Sequence, residues 1–355
     1  MSRERFWPTP AQELLLGFCL QRDAAAARRC WAEWKAMVPL DDLDYASFPL
    51  MCKVWLRVAE LGIAEPDLGR IKGLYRYQWA QSQVTFRGKR AVIDVLNSAG
   101  VPVMLMRGAA LACTVYHEPS ARGWQDTVIH VPMPEAARAV AALAGHGWMA
   151  RDFDAARPAP HGCCLLHPEH GEAWICWRPM PGDHAAAVGE DWWQASQTLQ
   201  YDTLRARIPC SADHLLHLCE NGMNPAYPTG LLWLADCAQL IRNAQPAMDW
   251  DRLIAQSQRF QVSLYLRAAL GWLSEHLEVS IPGEVLTALE RVQVPLGGRI
   301  EFYLSSRPDD RRSGVGFKAT AAAARYLGMK SGERLGQLRR DLPHWLRVLL
   351  RPLAR

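Results

Sequence analysis

The sequence predicts an α/β (α+β) fold, with a small mixed sheet in the middle of the chain and helical regions on both sides. Three observations predict it. First, residues 101 to 131 run from an apolar stretch, Val101 to Met106, through Arg107-Gly108 to small residues from Ala109 to Tyr116. A loop bracketed by Pro119 and Gly123 follows, and then a second apolar run, Thr127 to Val131. This reads as strand, tight turn, helix, loop, strand. The two strands are expected to be neighbours in one sheet. Second, the apolar runs Cys163 to His167 and Glu172 to Trp177 flank Pro168-Glu169-His170-Gly171, a hairpin signal. Third, apolar residues recur at helical spacing over residues 9 to 99 and again from Asp191 onward.

Each element has its own signal. Thr9 and Pro10 form an N-cap and first-turn pair ahead of Leu14, Leu15 and Phe18. Asp23 to Met37 is Ala-rich, with Trp31 and Trp34 on one side, and Asp44 to Leu61 continues at helical spacing. Pro66 opens a long helix that stops near Gly100, with Tyr75, Trp79, Phe86, Val92 and Val95 expected on its inner side. After the central unit, Pro134 to Ala144 reads as helix and Trp148 to Phe153 as a short strand. Asp154 to His161 and Pro179 to Gly189 read as loops. Helices are then expected from Ser211, within Pro228 to Ile241, from Asp249-Trp250 and after Pro282. The tail from Leu338 to Arg355 interleaves Leu and Trp with Arg, the pattern of a basic amphipathic helix, and more often packs on its own domain than on a partner. These signals divide the chain into 1–99 (helical), 100–189 (the α/β core), 190–296 (helical) and 297–355 (a basic extension).

Composition narrows the function classes. The chain has 355 residues, half of them hydrophobic and 21% charged, so it builds a large core and is not a disordered chain. The net charge of +4 is a weak pointer to an anionic ligand, and nucleic acid is not an expected partner. No apolar stretch is long enough to span a bilayer and no signal peptide is evident, so a cytoplasmic location is expected. The ten Cys are then reduced thiols, mostly small hydrophobes within apolar runs. The fifteen Trp are expected chiefly in the core. His161, Cys163, Cys164, His167, His170 and Cys176 lie close in sequence, but hairpin alternation sends neighbours to opposite faces, and no Zn site is expected.

The segment from Met106 to Val131, with the later runs Ala173 to Trp177 and Leu231 to Asp236, resembles the uncharacterised nucleotidyltransferase family of the polymerase-beta-like superfamily. The resemblance extends over roughly Leu14 to Arg291. It implies a sheet of nucleotidyltransferase type and a site that uses Mg²⁺ and a nucleoside triphosphate. Such a site needs carboxylates: two at i and i+2 on one strand point the same way, and a third comes from a neighbouring strand. Here Arg107 stands in place of the family Lys, beside the matching Gly108. Asp126 matches the first carboxylate and is the expected metal ligand if the protein is active. Val128 stands at the second and Trp174 at the third. Cys176 and Asn221 stand where the family has His.

Two consequences are expected. Arg107, Gly108 and Arg122 remain suited to an anion at a strand-to-helix turn, or else form a plain tight turn with surface Arg side chains. Ordinary metal-dependent transfer is expected to be weak or absent, because one carboxylate alone holds Mg²⁺ poorly. The leading reading is a degenerate family member, an accessory protein that binds a nucleotide or other anion, or a peptide or protein partner, in a biosynthetic pathway. One alternative is an active enzyme whose metal site is rebuilt from Asp126 and Glu172, with His130 on the same face. The other is a structural partner-binding module. Whether the chain is an enzyme is left open at this stage.

Overall fold

The structure is a computed structural model that describes residues 6–116, 119–122, 127–151, 153, 161–180, 185–223 and 230–306. Asp126, Gly123, most of the Asp154 to His161 loop and the basic tail lie outside the described residues. The chain opens with helices α1 (Pro10–Leu20), α2 (Ala24–Met37) and α3 (Met51–Glu60). Thr9 closes a capping box with Gln12, and Asp23 accepts from the N–H of Ala26, so both first helices start where their caps predict. Asp44 to Ser47 forms a hydrogen-bonded turn, and Phe48–Leu50 is a 3-10 turn, so α3 begins later than periodicity alone suggests.

Helix α4 (Leu68–Ser98) is 31 residues long. Its buried positions are Ile71, Gln78, Ser82, Gly88, Lys89, Val92, Ile93 and Leu96. Trp79, expected inside, is 47% exposed, because the buried stripe passes through Ile71, Gln78 and Ser82, which leaves Trp79 beyond its edge. Gly88 lets α4 cross the hairpin turn closely: a Cβ there would sit 2.3 Å from the carbonyl oxygen of His170.

The central unit follows as strand β1 (Met104–Met106), the short helix α5 (Gly108–Ala112) and strand β2 (Val128–His130). β1 and β2 pair antiparallel, Leu105 opposite Ile129. Helix α6 (Ala136–Ala144) leads to β3 (Met149–Arg151), and β4 (Gly162–His167) and β5 (Gly171–Cys176) form the expected hairpin. Helix α7 (Ala185–Ala195) occupies part of the stretch read as a loop.

The larger correction comes next. From Asp191 onward the chain was expected to be helical, yet β6 (Gln197–Tyr201) and β7 (Leu204–Ile208) form a hairpin around Asp202-Thr203. Its signal is the alternation in Leu204 to Ile208, where Leu204, Ala206 and Ile208 are buried and Arg205 is exposed. β7 pairs parallel with β1. Among the described residues seven strands make one mixed sheet, in the order β3-β4-β5-β2-β1-β7-β6. Helices α8 (Ser211–Gly222), α9 (Leu232–Asn243), α10 (Trp250–Arg259), α11 (Ser263–Leu277), α12 (Gly283–Arg291) and α13 (Leu296–Ser306) complete the described chain. No helix among the described residues is long and apolar enough to cross a membrane.

Strand alternation gives the sheet two different faces. Leu105, Ile129 and Ile175 sit side by side and join Val92, Ile93 and Leu96 of α4 and Leu143 of α6 in one core. On the other face Met104, Met106, Val128 and Cys176 join a second core with Leu215 and Leu218 of α8, Leu234 of α9 and side chains of α1 to α3.

Candidate functional site

The β1–α5 turn is the most constrained backbone in the central unit. Arg107 is the N-cap of α5 at φ 58°, ψ −139°. An L side chain rarely takes that conformation, and holding it costs about 1–3 kcal/mol. Two hydrogen bonds tie the turn down. The Arg107 N–H donates to Nε2 of His214 on α8 at 3.0 Å. The Ala109 N–H donates to Oγ1 of Thr127, just before β2, at 2.8 Å. One amide at the start of α5 is therefore already occupied by a protein oxygen. Gly108 is buried between them. The Arg107 side chain is half-buried, and its Nε, buried, has no hydrogen-bond partner among the described residues.

Arg122, expected to share an anion with Arg107, has its own counter-charge. Its Nε lies 2.6 Å from Oδ1 of Asp236 on α9, and both side chains are 1% exposed. The Tyr116 hydroxyl donates to the same oxygen at 2.7 Å. The Lys53 ammonium sits over the Tyr116 ring, 4.4 Å from its centre. Burial pulls the Lys53 amine down to about 8.

Between the turn and α8–α9 lies a small pocket lined by Arg107, Asn221, Trp233 and Asp236, among others. Gly222 shapes it, because a Cβ there would come within 2.2 Å of the Trp233 ring. The free volume of about 10 Å³ is close to the space one water needs. Asn221, at the family His position, donates to Glu220 Oε2 at 3.0 Å and to the His217 carbonyl at 3.1 Å.

The two described positions at which the resemblance expects carboxylates, Val128 and Trp174, fall on the same sheet face. Ile129 pairs with Ile175 in the parallel β2–β5 register, so one step back Val128 and Trp174 are neighbours. Val128 is buried and apolar, and Trp174 is 41% exposed. Neither supplies an oxygen, so this pair does not fit Mg²⁺. Asp126 lies outside the described residues. Glu172 is exposed two residues before Trp174, on the same side of β5, and its charge helps burial hold the Cys164 thiol above its usual value. Cys163 and Cys164 split between the two faces: Cys163 enters the α4-side core, while Cys164 lies opposite Trp174. His170 stacks on Trp148, and His167 meets both rings at a tilt.

His130 is fully buried on this face. Its Nδ1 lies 3.0 Å from the Cys176 carbonyl oxygen, which makes Nδ1 the protonated nitrogen. Burial holds the ring down to about 4 and therefore neutral. Its Nε2 has no partner among the described residues, and the ring stacks on Trp193 at 5.5 Å. His217 on α8 is held well below its usual value by burial first, then by the nearby Arg107 charge.

Asp236, His214 and Trp233 were not singled out as site residues from sequence. A signal existed for Asp236: a carboxylate inside the apolar run Leu231 to Ala238 has to find a partner when that helix is buried.

Seven strands in mixed order, with a Gly turn leading from β1 into a short helix and a return strand beside it, form the core on which this site is built. Residues 63–278 match the model of the family described as uncharacterised nucleotidyltransferase, and the chain belongs to that family. The match starts later and ends earlier than the motif resemblance over Leu14 to Arg291. A crystal structure of an antigenic nucleotidyltransferase-like protein from Paracoccidioides brasiliensis is similar over 58% of this chain and 95% of that one, at 14% identity and a TM-score of 0.36. No curated protein matches the sequence.

Proposed function

We propose that this chain keeps the nucleotidyltransferase scaffold as a binding site and has lost ordinary metal-dependent transfer. The observation that carries the reading is the adjacency of Val128 and Trp174 on β2 and β5. Two-metal phosphoryl chemistry needs oxygens converging there, and these side chains offer a methyl surface and an indole. What remains is positive charge: Arg107 lines the small pocket, where Asp236 is already engaged by Arg122, and the buried His130 and His217 are held neutral. An anionic group, from a nucleotide or from a peptide or protein partner, is the ligand this charge favours. With ten free Cys among the described residues, the chain suits a reducing compartment, and we place it in the cytoplasm as an accessory protein of a biosynthetic pathway.

The second reading is an active enzyme with a rebuilt site, favoured by Glu172 lying on the same side of β5 as Trp174. One experiment separates the two. Each nucleoside triphosphate is titrated with Mg²⁺ or Mn²⁺ by calorimetry, and pyrophosphate release is followed in parallel. Binding that weakens about tenfold in Arg107→Ala, without pyrophosphate release, is the expected result. Metal-dependent release that disappears in Asp126→Ala and Glu172→Gln overturns it in favour of the second reading.

A further inference from the structure

We propose that the outward face of α4 is a docking surface for an acidic helical segment of a partner protein. This face lies away from the pocket and does not depend on its ligand. From Leu68 to Ile93 the helix carries six Lys or Arg and no Asp or Glu. Some of those cations are engaged. Arg70 pairs with Asp41 and Asp67, Arg90 with Asp94 and Asp202, and Lys89 is buried. Lys72 lies over the Trp55 ring with its ammonium 5.4 Å from the centre. Arg76 and Arg87 are exposed and make no ion pair among the described residues.

Exposed apolar groups lie on two flanks of the same helix, Tyr77 and Val84 roughly 150° round from Trp79. Trp79, Tyr77 (57% exposed) and Val84 (68%) are three of the nine large hydrophobics that stand exposed among the described residues, and they fall within eight positions. Lys72, Arg76, Trp79, Gln83 and Arg87 follow one another at spacings of four, three, four and four, so they form a straight row along the helix. The row is roughly 22 Å long. Tryptophan and arginine are the side chains that most often dominate protein interfaces, and here an indole is centred between cations.

Charge selects the occupant. A second α4 would bring Lys72 and Arg87 against like charges. The segment 307–355 of this chain carries twelve Lys or Arg against four Asp or Glu, so it repels the row as well. A single strand of nucleic acid is held in a groove that tracks its backbone, whereas residues 69 to 84 are exposed over about half the helix circumference and present a convex ridge. An amphipathic helix with Glu or Asp flanking an apolar stripe matches the ridge in length, shape and charge.

The test uses the full chain and a fluorescein-labelled amphipathic peptide of about 20 residues, built from Leu, Ala and Glu. The comparisons are a peptide with Lys in place of Glu, a thymidine oligonucleotide and phosphatidylserine vesicles. Anisotropy should show binding of the acidic peptide alone, weakened by salt. It should weaken about tenfold or more in Trp79→Ala combined with Arg76→Glu, and likewise in Arg76→Glu combined with Arg87→Glu. Both variants change exposed side chains and should unfold at the wild-type temperature. Failure of the acidic peptide to bind, equal binding by the variants, tighter binding of the oligonucleotide or vesicles, or self-association that the variants abolish would each overturn the proposal.

Discussion

The two faces of the central sheet are built from alternate residues of the same strands, and they do different work. The face toward α4 and α6 sets Leu105, Ile129 and Ile175 side by side with no polar side chain between them. The face toward α8 and α9 mixes Met104, Met106 and Val128 with His130, and it meets Arg107, His214 and the Arg122–Asp236 pair. Hydrophobic burial alone would favour the first arrangement on both sides. The buried Arg122–Asp236 pair and a neutral histidine are costly to keep, so that side is where a ligand site is to be sought.

The comparison breaks most severely at Asp236. Asp236→Ala removes the carboxylate addressed by both Arg122 and Tyr116, and should cost about 3–5 kcal/mol of stability in urea unfolding. Ile129→Ala on the other face leaves a plain cavity and should cost about 2–5 kcal/mol. The informative difference is the rescue. An apolar core tolerates a refill, so Ile129→Val should cost only about 0.5–1.5 kcal/mol. A loss in Asp236→Ala below about 1 kcal/mol would mean that the pair contributes little and that the two faces are alike in what holds them.

His130 sharpens the same contrast through pH. Its folded value, about 4, lies below the ordinary 6.5, so between these values the unfolded chain binds the extra proton. Stability is therefore intact above pH 6.5 and falls as pH drops toward 4, by about 3 kcal/mol from this ring. His217 is shifted in the same direction and adds to the slope. Carboxylates also lose stability in acid, so the measurement is the difference between wild type and His130→Gln. Unfolding free energies from pH 7 to pH 4 should converge for the two proteins as pH falls. Parallel curves would show that His130 is not held neutral by burial.

Much of this architecture was legible because its signals are local. Thr9 and Asp23 cap the helices they precede, and the run Cys163 to Trp177 folds as a hairpin because its apolar residues alternate around a turn. The β6–β7 hairpin was harder to see. Its strands are five residues each, β7 carries Arg205 and Arg207, and the outside partner of β7 is β1, about a hundred residues earlier. Nothing local announces a parallel pairing. The site was legible in part for the same reason. The register of Val128 against Trp174 follows from strand alternation once the strands are known. The ion pair of Arg122 with Asp236 joins residues 114 apart in sequence, and only packing brings them together. Trp79 shows the reverse failure, since an aromatic at near-helical spacing is as compatible with the edge of a buried stripe as with its centre.

The smallest expected effect is at Trp174, and it bears directly on the proposed loss of metal chemistry. An indole where the family resemblance expects a carboxylate suggests at first a side chain packed into the space of a metal, so that Trp174→Asp would open a cavity. Trp174 is instead 41% exposed, and its alternation partners Ala173 and Ile175 do the packing on the opposite face. Trp174→Asp should therefore change stability by no more than about 0.5–1 kcal/mol. The substitution can then be combined with Val128→Asp. Val128 is buried, so an aspartate there is costly unless a cation neutralises it. The double variant should be less stable than wild type in chelator and regain stability with Mn²⁺, measured as a rise in unfolding temperature that wild type lacks. If Mn²⁺ raises the unfolding temperature of wild type as well, the oxygens are already supplied from elsewhere on this face, and the contrast between the two faces extends to a working metal site.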